Sequence, residues 1–305
     1  MKYLITIVGP TAIGKTSLSI ILANHFNCEI ISCDSRQFFN EMTIGTAVPS
    51  KTELAAAKHH FIQNKSIFEN YTVGDYEKEA ITTLNKLFQN NDYAILVGGS
   101  GLYVDAILKG FDEFPEIDSR IRTDITTNYE KLGTGFLQQK LEILDPAYYK
   151  TLTTENPQTL QNPQRMMRFV EVCLGTGKPY SSFLNQKKNN RDFTPIVIGL
   201  EADRKIIYNR INQRVDIMMN EGLLNEAKTL YPNKELNALQ TVGYRELFSF
   251  FDNEFSLEFA IEEIKKNTRR FSKRQLTWFK RNENTKWFDF ETPYTTVVAY
   301  IKSIK

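Results

Sequence analysis

The residues Gly9-Pro10-Thr11-Ala12-Ile13-Gly14-Lys15-Thr16 fit G-x-x-x-x-G-K-[ST], a loop whose backbone N–H groups cradle a run of phosphates. The flanks are those the loop requires. Tyr3 to Val8 is a short, β-branched apolar run that predicts a buried strand. Ser17 to Phe26 sets Leu18, Ile21, Leu22 and Phe26 near helical periodicity and predicts a helix. The loop then lies at a helix N-terminus, where unpaired N–H groups and the macrodipole attract an anion. Lys15 is placed to reach a terminal phosphate, and the Thr16 hydroxyl to ligate Mg²⁺. Strand, phosphate loop and helix in this order predict an α/β fold of the P-loop NTPase kind, a parallel sheet core flanked by helices.

The 305 residues have room for one large domain or two, and 41% apolar with 24% charged residues is ordinary globular composition. The net charge of +2 is nearly neutral, so any affinity for nucleic acid has to come from a local patch. Cys28, Cys33 and Cys173 are odd in number and form no C-x-x-C pair, which supports neither a disulfide framework nor a zinc finger. Idle thiols in a reducing compartment are the reading preferred. The apolar N-terminus is too short for a secretory leader, and no run of ~18 apolar residues exists to span a membrane. The expectation is a cytoplasmic protein.

Along the chain, Glu29 to Ser32 predicts a second strand, with Asp34-Ser35-Arg36-Gln37 close to its C-terminal end. Ligands of doubly wound sheets gather at the carboxyl ends of strands, so Asp34 is placed to face the crevice of the phosphate loop. A helix N-cap is the alternative. Thr52 to His59 looks helical, and on a helix the adjacent His59 and His60 diverge too far to share a metal. Tyr76 to Phe88 predicts an amphipathic helix. The strand Tyr93 to Val97 ends in Gly98-Gly99-Ser100-Gly101-Leu102-Tyr103, where ATP-hydrolysing relatives of the fold usually carry an Asp for Mg²⁺. Here glycines let a ligand approach the backbone, and Ser100 offers a hydroxyl.

From Pro115 to about Thr194 strand-like runs give way to helical patterns (Asp118 to Leu132, Phe136 to Leu144, Pro163 to Leu174) and a charged stretch from Gln186 to Asp192. Residues 115–194 are therefore expected to be an all-helical insertion in a core made of 1–114 and 195–305. Gln164-Arg165-Met166-Met167-Arg168 sets two arginines on one side of a helix, which a solvated face explains equally well. Pro195 to Leu200 resumes the sheet, Arg210 and Arg214 project from one helical face, and Gly243-Tyr244-Arg245 leads into another helix. Residues 265–281 carry eight Lys or Arg and no acid, interleaved with Phe271, Trp278 and Phe279. Cations for phosphates and aromatics for stacking are the footprint of nucleic-acid contact, and a solvated helix with a packed Trp is the alternative. Trp287 to Phe290 predicts an edge strand and Thr296 to Ile304 a closing helix.

GPTAIGKT, DSRQ followed by IGTA, GGSGLY, PQRMMR, RVDIMMNEGLL, VGYRE and KRQLTWFK stand in an order and spacing that resemble the tRNA dimethylallyltransferases, or tRNA isopentenyltransferases, over nearly the whole chain. Without a C-terminal Cys/His zinc module, it looks like the bacterial type. It departs in having Ser100 where the family usually has Thr, Phe38-Phe39 for Val-Tyr, and Gln63 for the acid of an HH-[LI]-x-D run.

The resemblance implies transfer of a dimethylallyl group from its diphosphate to the exocyclic amine of the adenosine 3′ of the tRNA anticodon. Nothing in the sequence demands an oligomer, so a monomer using Mg²⁺ is expected. It implies Asp34 as general base and Ser100 as a donor to the diphosphate. Gly9, Pro10, Thr11, Ala12, Ile13, Gly14, Lys15, Thr16 and Arg214 are implied to bind the diphosphate or a nucleotide such as ATP. The tRNA is implied to meet Asp34, Ser35, Arg36, Gln37 and Ser100, then Gln164, Arg165, Met166, Met167 and Arg168, then Gly243, Tyr244, Arg245, Lys273, Arg274, Gln275, Trp278 and Lys280.

Overall fold

A computed structural model describes residues 1–184 and 191–304. The chain divides into two compact units, Met1–Gly110 with Arg191–Lys305, and Phe111–Asn190.

The first unit is built on a six-stranded, all-parallel sheet. Its strands are β1 (Tyr3–Val8), β2 (Ile30–Ser32), β3 (His59–His60), β4 (Tyr93–Val97), β5 (Thr194–Glu201) and β6 (Lys286–Asp289), in the order β3-β2-β4-β1-β5-β6. β1 and β4 are buried throughout, which is why they read as unbroken apolar runs: a parallel sheet covered on both faces has no wet side to alternate toward. One face packs under α1 (Lys15–Phe26) and the C-terminal α13 (Tyr294–Ser303) through Ile5, Ile7, Leu22, Ile198 and Ile301. The other packs under α3 (Val73–Asn90) and α4 (Gly101–Lys109) through Leu4, Leu96, Tyr76, Leu84 and Val104. α3 starts on a reciprocal cap, the Thr72 hydroxyl accepting from Asp75 N–H while the Asp75 carboxylate accepts from Thr72 N–H. A third apolar cluster joins α9 (Arg204–Asn220), α10 (Leu223–Leu230), α11 (Tyr244–Phe251) and α12 (Leu257–Phe279) through Val215, Leu223, Leu239, Leu247 and Ile264.

The second unit is helical: α5 (Ser119–Leu132), α6 (Thr134–Leu144), α7 (Pro146–Glu155) and α8 (Pro163–Thr176) close on Ile125, Leu137, Leu141, Leu152, Met166 and Val170. α7 had no expected counterpart in the sequence, because its only buried residue is Leu152 and periodicity has little to report.

Three expectations shift. The helix predicted to reach His59 is α2 (Lys51–Ala56), and Ala57 is already extended. His59 and His60 pair instead with Ile30 and Ile31 as an edge strand, where His60 Nε2 meets Glu29 Oε2 at 2.6 Å. The helical unit is bounded at 111 and 190 rather than at 115 and 194. Arg191 belongs to the core, donating to the carbonyls of Ala106 and Ile107 and to Glu77, and Phe193 packs on Phe88. Of the charged stretch from Gln186 to Asp192, residues 186–190 lie outside the described residues. No described helix is long and apolar enough to cross a membrane.

Candidate active site

β1 delivers the chain to the phosphate loop at the carboxyl edge of the sheet, and α1 begins at Lys15. Gly14 turns the loop into the helix at φ 110°, a left-handed conformation that glycine enters freely. Ala12 also has a positive φ, of 65°, an uncommon state for a residue with a Cβ. Neighbours hold the loop in this shape. Arg210 Nε donates to the Ala12 carbonyl at 2.7 Å. Thr11 N–H donates to Gln275 Oε1 at 2.8 Å. Lys15 folds back, its ammonium donating to the Gly9 and Pro10 carbonyls at 3.1 and 2.8 Å. Burial pushes the Lys15 pKa down to about 8 and Arg214 adds to the fall, while the Asp34 carboxylate resists it.

Asp34 follows β2 in the same crevice. No helix starts here, which removes the N-cap alternative: Asp34 Oδ1 accepts from Arg36 N–H at 3.2 Å and stabilises a turn. Burial raises its pKa above the ordinary carboxylate range, opposed by that N–H, by Lys15 and by the guanidinium groups of Arg36 and Arg214. Arg214 projects from α9 into the crevice, where burial and the neighbouring Arg210 lower its pKa. Among the described residues no ion pair reaches it. A poorly hydrated guanidinium without an ionic partner among the described residues is electrostatically suited to an anion.

Two cavities meet here. The first, of about 520 Å³, is lined by the loop from Thr11 to Ser17, by Asp34, and by apolar residues including Ile44, Val48 and Ile62. The second, of about 480 Å³, runs from Asp34 past Ser100, Tyr103 and Arg245 to Arg274 and Trp278. Thr11, Asp34, Thr46, Ala47, Arg214 and Met218 line both, so Asp34 and Arg214 stand at the junction.

Several other expected residues bond within the fold. The Ser100 hydroxyl accepts from Ser35 N–H at 3.1 Å and donates to Ser35 Oγ at 3.0 Å, tying the ends of β2 and β4 together. Arg36 donates to the carbonyls of Asn237 and Ala238, and Gln37 to those of Thr46 and Ala47. Gln275, implied by the resemblance to meet tRNA, is 5% exposed and bridges Thr11 N–H to the Gly99 carbonyl. A Cβ on Gly99 would lie 2.2 Å from Gln275 Nε2, so the close approach requires glycine. Tyr244 is fully buried and donates to Glu226, and Gly243 N–H donates to Glu246. Met166 and Met167 lie in the core of the helical unit, whereas Gln164 and Arg165 are exposed at the start of α8 and Arg168 pairs with Glu171. Trp278 packs against Gly101 with its indole N–H donating to Asp105.

The basic stretch is less free than its composition suggests. Lys265 pairs with Asp216 and Glu262, Lys266 with Glu263, and Lys280 with Glu201. Lys273 and Arg274 remain exposed, with no ion pair among the described residues. Sequence reasoning missed Gln275 and Arg210 as braces of the phosphate loop, and Glu226 altogether. Only the i, i+4 spacing of Arg210 and Arg214 hinted at a shared target.

A parallel sheet with a phosphate loop after β1, and a carboxylate and a guanidinium across its crevice, defines a P-loop α/β protein. The family described as IPP transferase matches residues 37–282. The tRNA dimethylallyltransferase of Flavobacterium johnsoniae is 78% identical over 99% of this chain and 97% of its own length. The tRNA dimethylallyltransferase 1 of Bacteroides fragilis is 46% identical over 99% and 98%. Among solved structures, the tRNA isopentenylpyrophosphate transferase of Bacillus halodurans superposes with a TM-score of 0.72 at 34% identity, covering 100% of this chain and 95% of that one. A eukaryotic dimethylallyltransferase acting on tRNA superposes with a TM-score of 0.79 at 26% identity, covering 96% and 75%. The chain belongs to the IPP transferase family, and is thereby an enzyme that transfers isoprenyl groups.

Proposed function

We propose that this chain transfers a dimethylallyl group from dimethylallyl diphosphate to the exocyclic amine of the adenosine 3′ of the tRNA anticodon, with the transfer taking place at the junction of the two cavities. The observation that carries this reading is that Asp34 and Arg214 line both cavities, one walled by the phosphate loop and the other opening toward the cationic face of α12.

The diphosphate lies on the loop N–H groups, with Lys15 and Arg214 facing its charge. The isoprenyl tail takes the apolar wall of Ile44, Val48 and Ile62. Breaking the allylic carbon–oxygen bond sends an electron pair to the diphosphate, so preorganised cations at the leaving group are where the protein lowers the barrier most. The oxygen donor at hand, the Thr16 hydroxyl, is of the hard kind that suits Mg²⁺ held mainly through phosphate. Bound there, the ion would neutralise further charge on the departing diphosphate.

The adenine amine enters from the second cavity, which requires the base to leave its stack at a cost of a few kcal/mol. Its nitrogen forms the new bond to carbon and its proton passes to an Asp34 oxygen. The raised pKa of Asp34 suits that role, because a general base works best when its pKa approaches the operating pH. Lys273 and Arg274 hold the RNA backbone, and Gln164 and Arg165 of the helical unit supply further contacts. The protein acts as a monomer in the cytoplasm. The direct test is incubation with labelled dimethylallyl diphosphate and unmodified tRNA, AMP or ATP. Label on tRNA alone is expected, while label on AMP, or phosphate lost from ATP, overturns the reading.

A further inference from the structure

One carboxylate outside the two cavities holds a segment that lines them. Glu226, in the first turn of α10, accepts four hydrogen bonds from donors. Oε2 takes Thr43 N–H at 3.0 Å and Ile44 N–H at 2.8 Å, while Oε1 takes Gly45 N–H at 2.9 Å and the Tyr244 hydroxyl at 2.7 Å. The segment so held continues into Thr46 and Ala47, which line both cavities. From the other side the Gln37 amide donates to the carbonyls of Thr46 and Ala47 at 3.2 and 2.9 Å. Ala47 sits at φ 52°, a left-handed conformation that a residue with a Cβ keeps only where its surroundings over-determine it. Tyr244 lies so close beneath that a Cβ on Gly45 would come within 2.6 Å of its ring.

We propose that Glu226, with Tyr244 behind it, is a positioning residue for the transfer: it holds the wall at 43–47 that keeps water from the allylic carbon until the adenine amine is in place. The inference rests on the proposed reaction. An allylic diphosphate that ionises in a loosened site is open to water, whose oxygen bonds to the carbon as the carbon–oxygen bond to diphosphate breaks. The water proton leaves to solvent, and the products are dimethylallyl alcohol and diphosphate. Excluding water from a reactive centre is a recognised task of a closed site.

Glutamine is the discriminating substitution. All four partners of Glu226 are donating, and an amide NH₂ cannot accept from them, so in either orientation Glu226→Gln sets N–H against at least one backbone N–H. The measurement is diphosphate released per dimethylallyl group placed on tRNA, in one reaction, for the wild type, Glu226→Gln and Tyr244→Phe. The wild type is expected at one to one. Glu226→Gln is expected to raise the ratio severalfold with dimethylallyl alcohol as the extra product, and Tyr244→Phe, which removes one donor of four, to raise it less. The ratio does not depend on how much of a variant is folded, so a merely structural role lowers both products together and leaves it at one. That result in a wild type that transfers overturns the inference alone. A wild type that transfers nothing to tRNA overturns the proposed reaction and this inference with it. Should Glu226→Gln fail to fold, Tyr244→Phe decides by the same ratio.

Discussion

Gln275 and Thr11 stand 264 positions apart in the chain, yet the Thr11 N–H donates to the Gln275 side-chain oxygen at 2.8 Å, while the same amide donates to the Gly99 carbonyl at 3.0 Å. One side chain of α12 thus fixes the phosphate loop against the turn that ends β4. The helix that exposes Lys273 and Arg274 is the helix that sets the shape of the anion site.

Replacing Gln275 by Glu keeps the acceptor for Thr11 but sets a carboxylate oxygen against the Gly99 carbonyl. Leaving that buried carbonyl unsatisfied costs about 1–3 kcal/mol. Urea denaturation is expected to show Glu at this position less stable than the wild type by that amount, with a raised KM for dimethylallyl diphosphate.

Asp34→Ala removes the proton acceptor without touching the cationic surface. Turnover is expected to fall by about 10²–10⁴-fold, the range of general-base catalysis. The tRNA dissociation constant, measured by filter binding, should stay at its wild-type value. Loss of tRNA binding with intact single-turnover chemistry would remove Asp34 from the base role.

Lys15 carries a pKa of about 8, so its charge is present below that pH and lost above it. Affinity for dimethylallyl diphosphate is therefore expected to hold steady up to about pH 8 and to weaken as pH rises further. Binding above that pH takes up protons, because the ligand's charge restores the ammonium. Calorimetry in two buffers of different ionisation heat reads the uptake directly. Lys15→Met should bind the donor weakly and without this pH dependence.

Lys273→Ala and Arg274→Ala test the RNA face. Each cation withdrawn from a phosphate reduces the slope of log K against log salt by about 0.7–0.9. The double variant is expected to bind tRNA more weakly and with a flatter salt dependence, while donor affinity in the absence of tRNA is unchanged. An unchanged slope would remove this helix from the interface.

Local pattern was enough to read the framework. The phosphate loop, the strand before it and the helix after it lie within the first 26 residues, and their chemistry is carried by neighbours in sequence. The buried parallel strands were legible as apolar runs, and the change to helical periodicity after β4 marked the second unit. Boundaries were less legible, because Arg191 and Phe193 join the core through partners at Glu77 and Phe88 that no local window contains.

What the sequence determined by itself was the class of ligand: a glycine-bounded loop running into Lys15 and Thr16 dictates an anion nest wherever it folds. Only the tertiary structure decided which side chains face that ligand and which support the frame. Met166, Tyr244 and Gln275 look like surface candidates in a linear motif, yet they are buried. Glu226, unmarked in the sequence, gathers four donors from two distant segments. The reason is physical. A backbone cradle is made by consecutive residues, whereas burial and hydrogen-bond satisfaction are settled among groups that meet only when the chain has closed on itself.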